Sequence, residues 1–172
     1  ISHNVETELI GMTVGPTVTR YELELGPGVK VSKVTNLQKD IAYAMAATDV
    51  RILAPIPGRS AIGVEVPNHQ RQLVALGDLM VSPEAKKADA PLDVAIGKDI
   101  AGKAVFLDLA STPHMLIAGA TGAGKSSGIN CIITSLLMRT TPDDVRLILI
   151  DPKQVEMGQY QRLPHLLTQP VT

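Results

Sequence analysis

The sequence predicts an α/β chain in two parts: a small α/β domain, then part of a domain built on a strand–loop–helix unit. Three observations predict it. Residues 14–25 alternate with period two and lead into a helical pattern from Leu37. The string Gly119-Ala-Thr-Gly-Ala-Gly-Lys-Ser126 lies between a short apolar run and a stretch with apolar residues at helical spacing. Val145-Arg-Leu-Ile-Leu-Ile150 is a near-continuous apolar run, as in parallel strands buried on both faces.

From the N-terminus, Val18, Arg20, Glu22 and Glu24 alternate with Thr19, Tyr21, Leu23 and Leu25, which predicts a half-buried strand over 14–25. Gly26-Pro-Gly28 ends it. Lys30 to Val34 reads as a second short strand. Thr35 and Gln38 stand in the two roles of a capping box. Leu37, Ile41, Met45 and Thr48 then follow at helical spacing and are expected to pack on the preceding strands. Val50–Pro55 and Ser60–Val66 read as two strands joined by a Pro/Gly turn. Pro55 and Pro57 make the first an edge strand or end it early. Pro67-Asn68 closes this unit at residue 68.

Residues 69–90 are more polar and read as a linker, with 81–90 a surface helix or loop; Lys86 and Lys87 read as solvated charges. Leu92–Ile96 and Ala104–Leu109 predict a hairpin around 97–103. His114–Ala118 reads as a strand and 126–139 as a helix with Ile129, Ile132, Ile133, Leu136 and Leu137 on its apolar side. Thr140-Thr-Pro-Asp-Asp144 breaks the chain, and 145–150 returns as a strand. Strand 115–118, helix and strand 146–150 would form one βαβ unit with a right-handed crossover. Asp151 would then sit at the carboxyl edge of the sheet, where α/β folds bind ligands.

Residues 119–126 satisfy GxxxxGK[ST] at every fixed position, in the strand-to-helix context that gives the pattern meaning. Glycines let successive backbone N–H groups turn inward toward phosphate oxygens, and the following helix adds about half a positive charge at its N-terminus. Gly119, Ala120, Thr121, Gly122, Ala123, Gly124, Lys125, Ser126 and Ser127 are therefore the candidate phosphate-binding residues. Lys125 is the candidate catalytic residue, its ammonium suited to β- and γ-phosphates, and the Ser126 hydroxyl is the candidate Mg²⁺ ligand.

Bulk properties narrow the rest. The 172 residues suffice for one domain or two small ones, and 45% hydrophobic residues support a core. With no Trp and only one Phe and three Tyr, base stacking on an aromatic platform is not a main binding mode. A net charge of −1 supplies no global attraction for nucleic acid, though a local basic strip remains compatible with it. The single cysteine, Cys131, cannot form a disulfide within the chain and reads as a small buried hydrophobe. His3, His69, His114 and His165 lack metal-ligand spacing. No run approaches the roughly 18 apolar residues of a membrane span. The start, Ile1-Ser-His-Asn-Val5, has neither initiator Met nor signal-peptide character and reads as an internal piece of a longer protein.

Several strings together carry a family resemblance. Gly15-Pro-Thr-Val-Thr-Arg-Tyr-Glu22, Pro55-Ile-Pro-Gly-Arg-Ser60, Gly63-Val-Glu-Val-Pro-Asn68 and Gly97-Lys-Asp-Ile-Ala-Gly102 resemble the motor region of the FtsK/SpoIIIE DNA translocases. So do Pro113 to Ser126, Ile150-Asp-Pro-Lys153 and Leu163-Pro-His-Leu-Leu167. The phosphate loop is common to many NTPases; its combination with Asp-Pro-Lys and Pro-His-Leu-Leu is much more specific. The resemblance covers nearly the whole chain.

The resemblance implies an α domain at 1–68, a linker at 69–90 and, at 91–172, the N-terminal part of a RecA-like ATP-binding motor domain that stops before Walker B. It implies ATP and Mg²⁺ as cofactors, and a homo-hexameric ring that pumps double-stranded DNA during chromosome partition at division or sporulation septa. It places the parent protein at the cytoplasmic side of the cell membrane, with this segment itself making no membrane contact. Asp-Pro-Lys belongs in this family to a strand earlier than Walker B, so Asp151 is not assigned the Walker B role. The acidic pair, arginine finger and DNA-facing loops are expected beyond Thr172, and the chain alone is expected to bind nucleotide but hydrolyse it poorly. Ser127 departs from the apolar residue of many relatives, though its N–H can still meet an α-phosphate. Two alternatives stay open: a type VII secretion-like protein-transporting ATPase, favoured by a second phosphate loop in the full gene, and a non-catalytic nucleotide-binding oligomerisation module, favoured by a missing Walker B pair.

Overall fold

The computed structural model describes residues 4–172; the reading of the extreme N-terminus, including His3, lies outside the described residues. The chain divides into two compact units. One runs to Val74 and includes Lys98–Lys103; the other comprises Ala75–Gly97 and Ala104–Thr172.

The first unit is a four-stranded antiparallel sheet in the order β1-β2-β4-β3, with two short helices. Its strands are β1 (Thr7–Val14), β2 (Val18–Leu25), β3 (Arg51–Leu53) and β4 (Ile62–Pro67). The two faces follow from the alternation in β2. Tyr21 and Leu23 pack with Val64 and Val66 of β4, Val50, and Ala42 and Ile41 of helix α2 (Gln38–Ala44). On the opposite face Arg20 pairs with Glu65 at 2.6 Å, and Glu22 with Arg59 at 2.6 Å. Central β4 is buried almost throughout, whereas β3 is the edge that the prolines predicted and ends at Leu53. Asn68 closes the unit: it accepts from the Thr19 hydroxyl and donates from Nδ2 to the Gly15 carbonyl. Gly15 is obligatory for a steric reason, since a Cβ there would stand 2.2 Å from the Ile100 carbonyl oxygen.

Three local expectations are corrected here. Lys30–Val34 is not a strand; Val31–Thr35 forms the one-turn helix α1, and Val34 is its buried residue. Both sheet edges lie elsewhere, so no ladder partner reaches this segment, and burial of Val34 decides its conformation. The capping box does not form. Thr35 closes α1 by donating to the Ser32 carbonyl, and Leu37 occupies the N-cap of α2. The strand read over 14–25 begins only at Val18: Val14 ends β1, which the period-two reading did not otherwise reach, and pairs across the turn with Thr19.

The second unit holds helix α3 (Leu76–Met80), the two-stranded hairpin β5 (Asp93–Lys98) and β6 (Ala104–Asp108), and the long helix α4 (Lys125–Arg139). Helix α4 is anchored on two sides. Ile133 packs with Leu149, Met157 and Tyr160, flanked by Ile129, Leu137, Leu163 and Leu166. Toward the hairpin, the fully buried Ser135 accepts the Ala95 N–H at 3.1 Å, and Arg139 donates to the Asp93 carbonyl while lying over the Phe106 ring. Cys131 is half-buried.

The expected βαβ unit is not formed among the described residues. His114–Ala118 forms no strand and has no ladder partner, and Leu116 is 91% exposed. Residues 145–150 make only two isolated parallel bridges, Leu147 with Leu166 and Ile150 with Val171. Nor is this segment buried on both faces: Val145, Leu149 and Asp151 point inward, while Ile148 and Ile150 are exposed. A strand is made by its ladder partners, and apolar composition alone does not supply them. No described helix is long and apolar enough to cross a membrane.

Candidate phosphate-binding site

The loop before α4 has the backbone that its glycines permit. Gly122 and Gly124 adopt φ of +79° and +92°, in the left-handed region that other residues enter at a cost. Gly124 is the N-cap of α4, so Lys125 and Ser126 are the first two helical residues. Gly119 packs close to Ala123: a Cβ on Gly119 would sit 3.2 Å from that of Ala123. The Ala123 N–H turns back to the Ala120 carbonyl. The first backbone hydrogen bond of the helix runs from Gly128 N–H to the Gly124 carbonyl, so the N–H groups at 124–127 precede the helical ladder, as at any helix start. Residues 119–124 and Ser127 are exposed; Lys125 and Ser126 are partly covered.

The two chemically active side chains both have partners within the chain. Lys125 folds back over the loop, its Nζ donating to the carbonyls of Gly119 at 2.6 Å and Ala120 at 2.8 Å. These bonds hold the ammonium above the loop. The Ser126 hydroxyl donates to Glu156 Oε1 at 2.6 Å. A hydroxyl oxygen is a hard ligand of the kind that suits Mg²⁺. The donor chemistry thus fits a phosphate group and its cation: backbone N–H groups, one ammonium and one hydroxyl.

Asp151 does a different job from a cation ligand. Its carboxylate is buried and accepts the backbone N–H groups of Glu156 at 2.8 Å, Met157 at 3.0 Å and Lys153 at 3.3 Å. The Glu156 amide above all, with those of Met157, Lys153 and Gln154, holds its pKa below the ordinary carboxylate value against the opposing effect of burial. Asp151 thereby shapes loop 152–157 and delivers Glu156 to Ser126. Glu156 was not among the residues that the sequence pointed to; it lies thirty residues from its partner and belongs to no motif.

Pro164-His165-Leu166 also has a structural role. The His165 ring is buried with Nε2 3.0 Å from the Thr140 carbonyl at the end of α4, and its own carbonyl accepts the Leu147 N–H. The string fastens the helix C-terminus to segment 145–150.

Residues 75–172 match the model of the FtsK/SpoIIIE family, and residues 1–68 match that of the FtsK alpha domain. The chain is 57% identical over 168 residues to a protein of Streptomyces coelicolor named DNA translocase FtsK, covering 98% of this chain and 18% of that protein. A protein of the same name from Mycobacterium tuberculosis is 54% identical over 168 residues, with 20% of its length covered. One from Haemophilus influenzae is 52% identical over 169 residues, with 32% covered. The chain therefore spans between about a fifth and a third of the length of these relatives. With a family model matched over more than half its residues, the chain belongs to the FtsK/SpoIIIE family of P-loop ATPases.

Proposed function

We propose that this chain is the α domain and nucleotide-binding start of a motor that hydrolyses ATP to move double-stranded DNA, as part of chromosome partition at cell division or sporulation. One observation carries the nucleotide part: a loop bent by two left-handed glycines opens directly into α4, with Lys125 and Ser126 at the first two helical positions. The DNA part is supported by the names of the relatives. In this reading residues 119–127 line the phosphates, the N–H groups at the start of α4 facing the anion.

The reaction is transfer of the γ-phosphoryl group to water, which leans on positioning and charge stabilisation. Lys125 exchanges the carbonyls of Gly119 and Ala120 for phosphate oxygens. Because those carbonyls already hold its ammonium over the loop, little side-chain order remains to be imposed on binding. Ser126 offers its oxygen to Mg²⁺, and the cation when bound neutralises charge shared by the β- and γ-phosphates. A homo-hexameric ring is proposed as the working assembly.

The test is Lys125→Ala in the full protein. DNA-stimulated ATP turnover is expected to fall by about 10²–10³, the range for loss of one preorganised charge-stabilising donor. The thermal midpoint is expected to stay within error, because the Lys125 ammonium bonds only to exposed loop carbonyls. Turnover equal to that of the parent protein would remove the assigned role.

A further inference from the structure

We propose that Glu156 is a positioning residue for the cation at the phosphate loop, taking the hydrogen of the Ser126 hydroxyl so that an oxygen lone pair is presented to Mg²⁺. This rests on the nucleotide reading above and assigns a role to a residue outside the loop motif. A serine hydroxyl carries one hydrogen and two lone pairs, and left alone it rotates freely. A cation ligand must point a lone pair, not the hydrogen, at the metal. The hydrogen therefore needs an acceptor elsewhere, and an ionised carboxylate is a strong one.

The Ser126–Glu156 contact has the form of such a bond. Its 2.6 Å length falls in the range of charge-assisted O–H···O⁻ bonds. Withdrawing the proton toward a carboxylate makes the serine oxygen more electron-rich, which is how outer groups tune metal ligands in general. Among the described residues Glu156 makes no ion pair with Lys125, whose ammonium is held by Gly119 and Ala120. The carboxylate charge is thus not neutralised by that lysine.

The placement of Glu156 is also built rather than incidental. Its N–H donates to the buried Asp151 carboxylate, as does the N–H of Met157. Met157 in turn packs in the core against Ile133 of α4, the helix that begins with Lys125 and Ser126. Glu156 is tied on one side to a buried carboxylate and on the other to the helix that bears its partner. A surface glutamate meeting a serine by chance would have neither tie.

The experiment measures ADP binding to the chain with Mg²⁺ and, separately, with EDTA. Mn²⁺ binding to the ADP-loaded chain is followed by electron paramagnetic resonance. Glu156→Ala is expected to weaken Mg²⁺ and Mn²⁺ binding at the ADP-loaded site about 10–100-fold, the range for loss of an outer partner, and to leave ADP affinity in EDTA unchanged. Glu156→Gln, which keeps size and an acceptor but loses the charge, is expected to fall between. In a Ser126→Ala background the Glu156→Ala effect is expected to vanish; this comparison also holds if either variant is slightly less stable. Unchanged cation affinity in Glu156→Ala overturns the proposal, and tighter cation binding would make Glu156 a competitor of Mg²⁺ instead. Failure of the nucleotide reading looks different: no ADP binding by the unaltered chain in EDTA or Mg²⁺, or binding that Lys125→Ala leaves intact.

Discussion

Replacing Ser135 by Ala removes one oxygen atom, yet it is expected to cost the second unit about 2 kcal/mol. Ser135 is 0% exposed and its Oγ accepts the N–H of Ala95, itself 1% exposed. Alanine leaves that N–H buried with no acceptor and no route to water, a penalty of about 1–3 kcal/mol. The other contact of Oγ, 3.7 Å to the Met80 sulfur, is long and adds little. The change would be read by urea unfolding and by native-state exchange of the Ala95 amide; 2 kcal/mol corresponds to roughly thirty-fold faster exchange through that opening. Met138→Ala, at a position 61% exposed on the same helix, is the control and is expected to stay within about 0.5 kcal/mol. A Ser135→Ala effect no larger than the control, with Ala95 exchange unchanged, would refute the claim that this bond ties α4 to the hairpin.

Three further outcomes follow from ionised groups. Glu65→Ala is expected to cost about 1.5–3 kcal/mol, because Arg20 (19% exposed) loses its charged partner. Arg51→Ala is expected to stay near 0.5 kcal/mol or less, since Arg51 is 75% exposed and 3.7 Å from Glu65; urea midpoints in the reverse order would contradict this. Asp151, whose folded pKa is lowered, contributes stability that is present above the ordinary carboxylate pKa and is lost as pH falls through its folded value. Below about pH 4 the Glu156 and Met157 amide resonances are therefore expected to shift in the unaltered chain and not in Asp151→Asn; a transition at or above the ordinary value would contradict the hydrogen bonds described.

How much could be read beforehand depended on whether a residue's fate was local. Helix α4 was legible because its loop motif and apolar spacing coincide, β2 from its alternation, and β3 and β4 as two runs joined by a Pro/Gly turn. Strand β1 was not, because a register shift between Leu9 and Gly11 interrupts its period and Leu9, Ile10, Met12 and Val14 stay exposed. Helix α1 was misread because one buried side chain, Val34, outweighs the β-branched composition around it. Segments 114–118 and 145–150 have strand-like composition, but ladder formation depends on partners that composition does not reveal. At the candidate site the left-handed glycines and the helix start at Lys125 were legible from the spacing of the loop motif. Glu156 was not, since its approach to Ser126 is created by the Asp151 turn and the burial of Met157.

The most direct test of the central claim is titration of the isotope-labelled chain with Mg²⁺·ADP, following backbone amides. The largest shifts are expected at residues 119–127, above all Gly122, Gly124, Lys125 and Ser126, and Lys125→Ala is expected to weaken the binding they report. Saturation that leaves those amides unmoved, or that moves a different set, would contradict that claim.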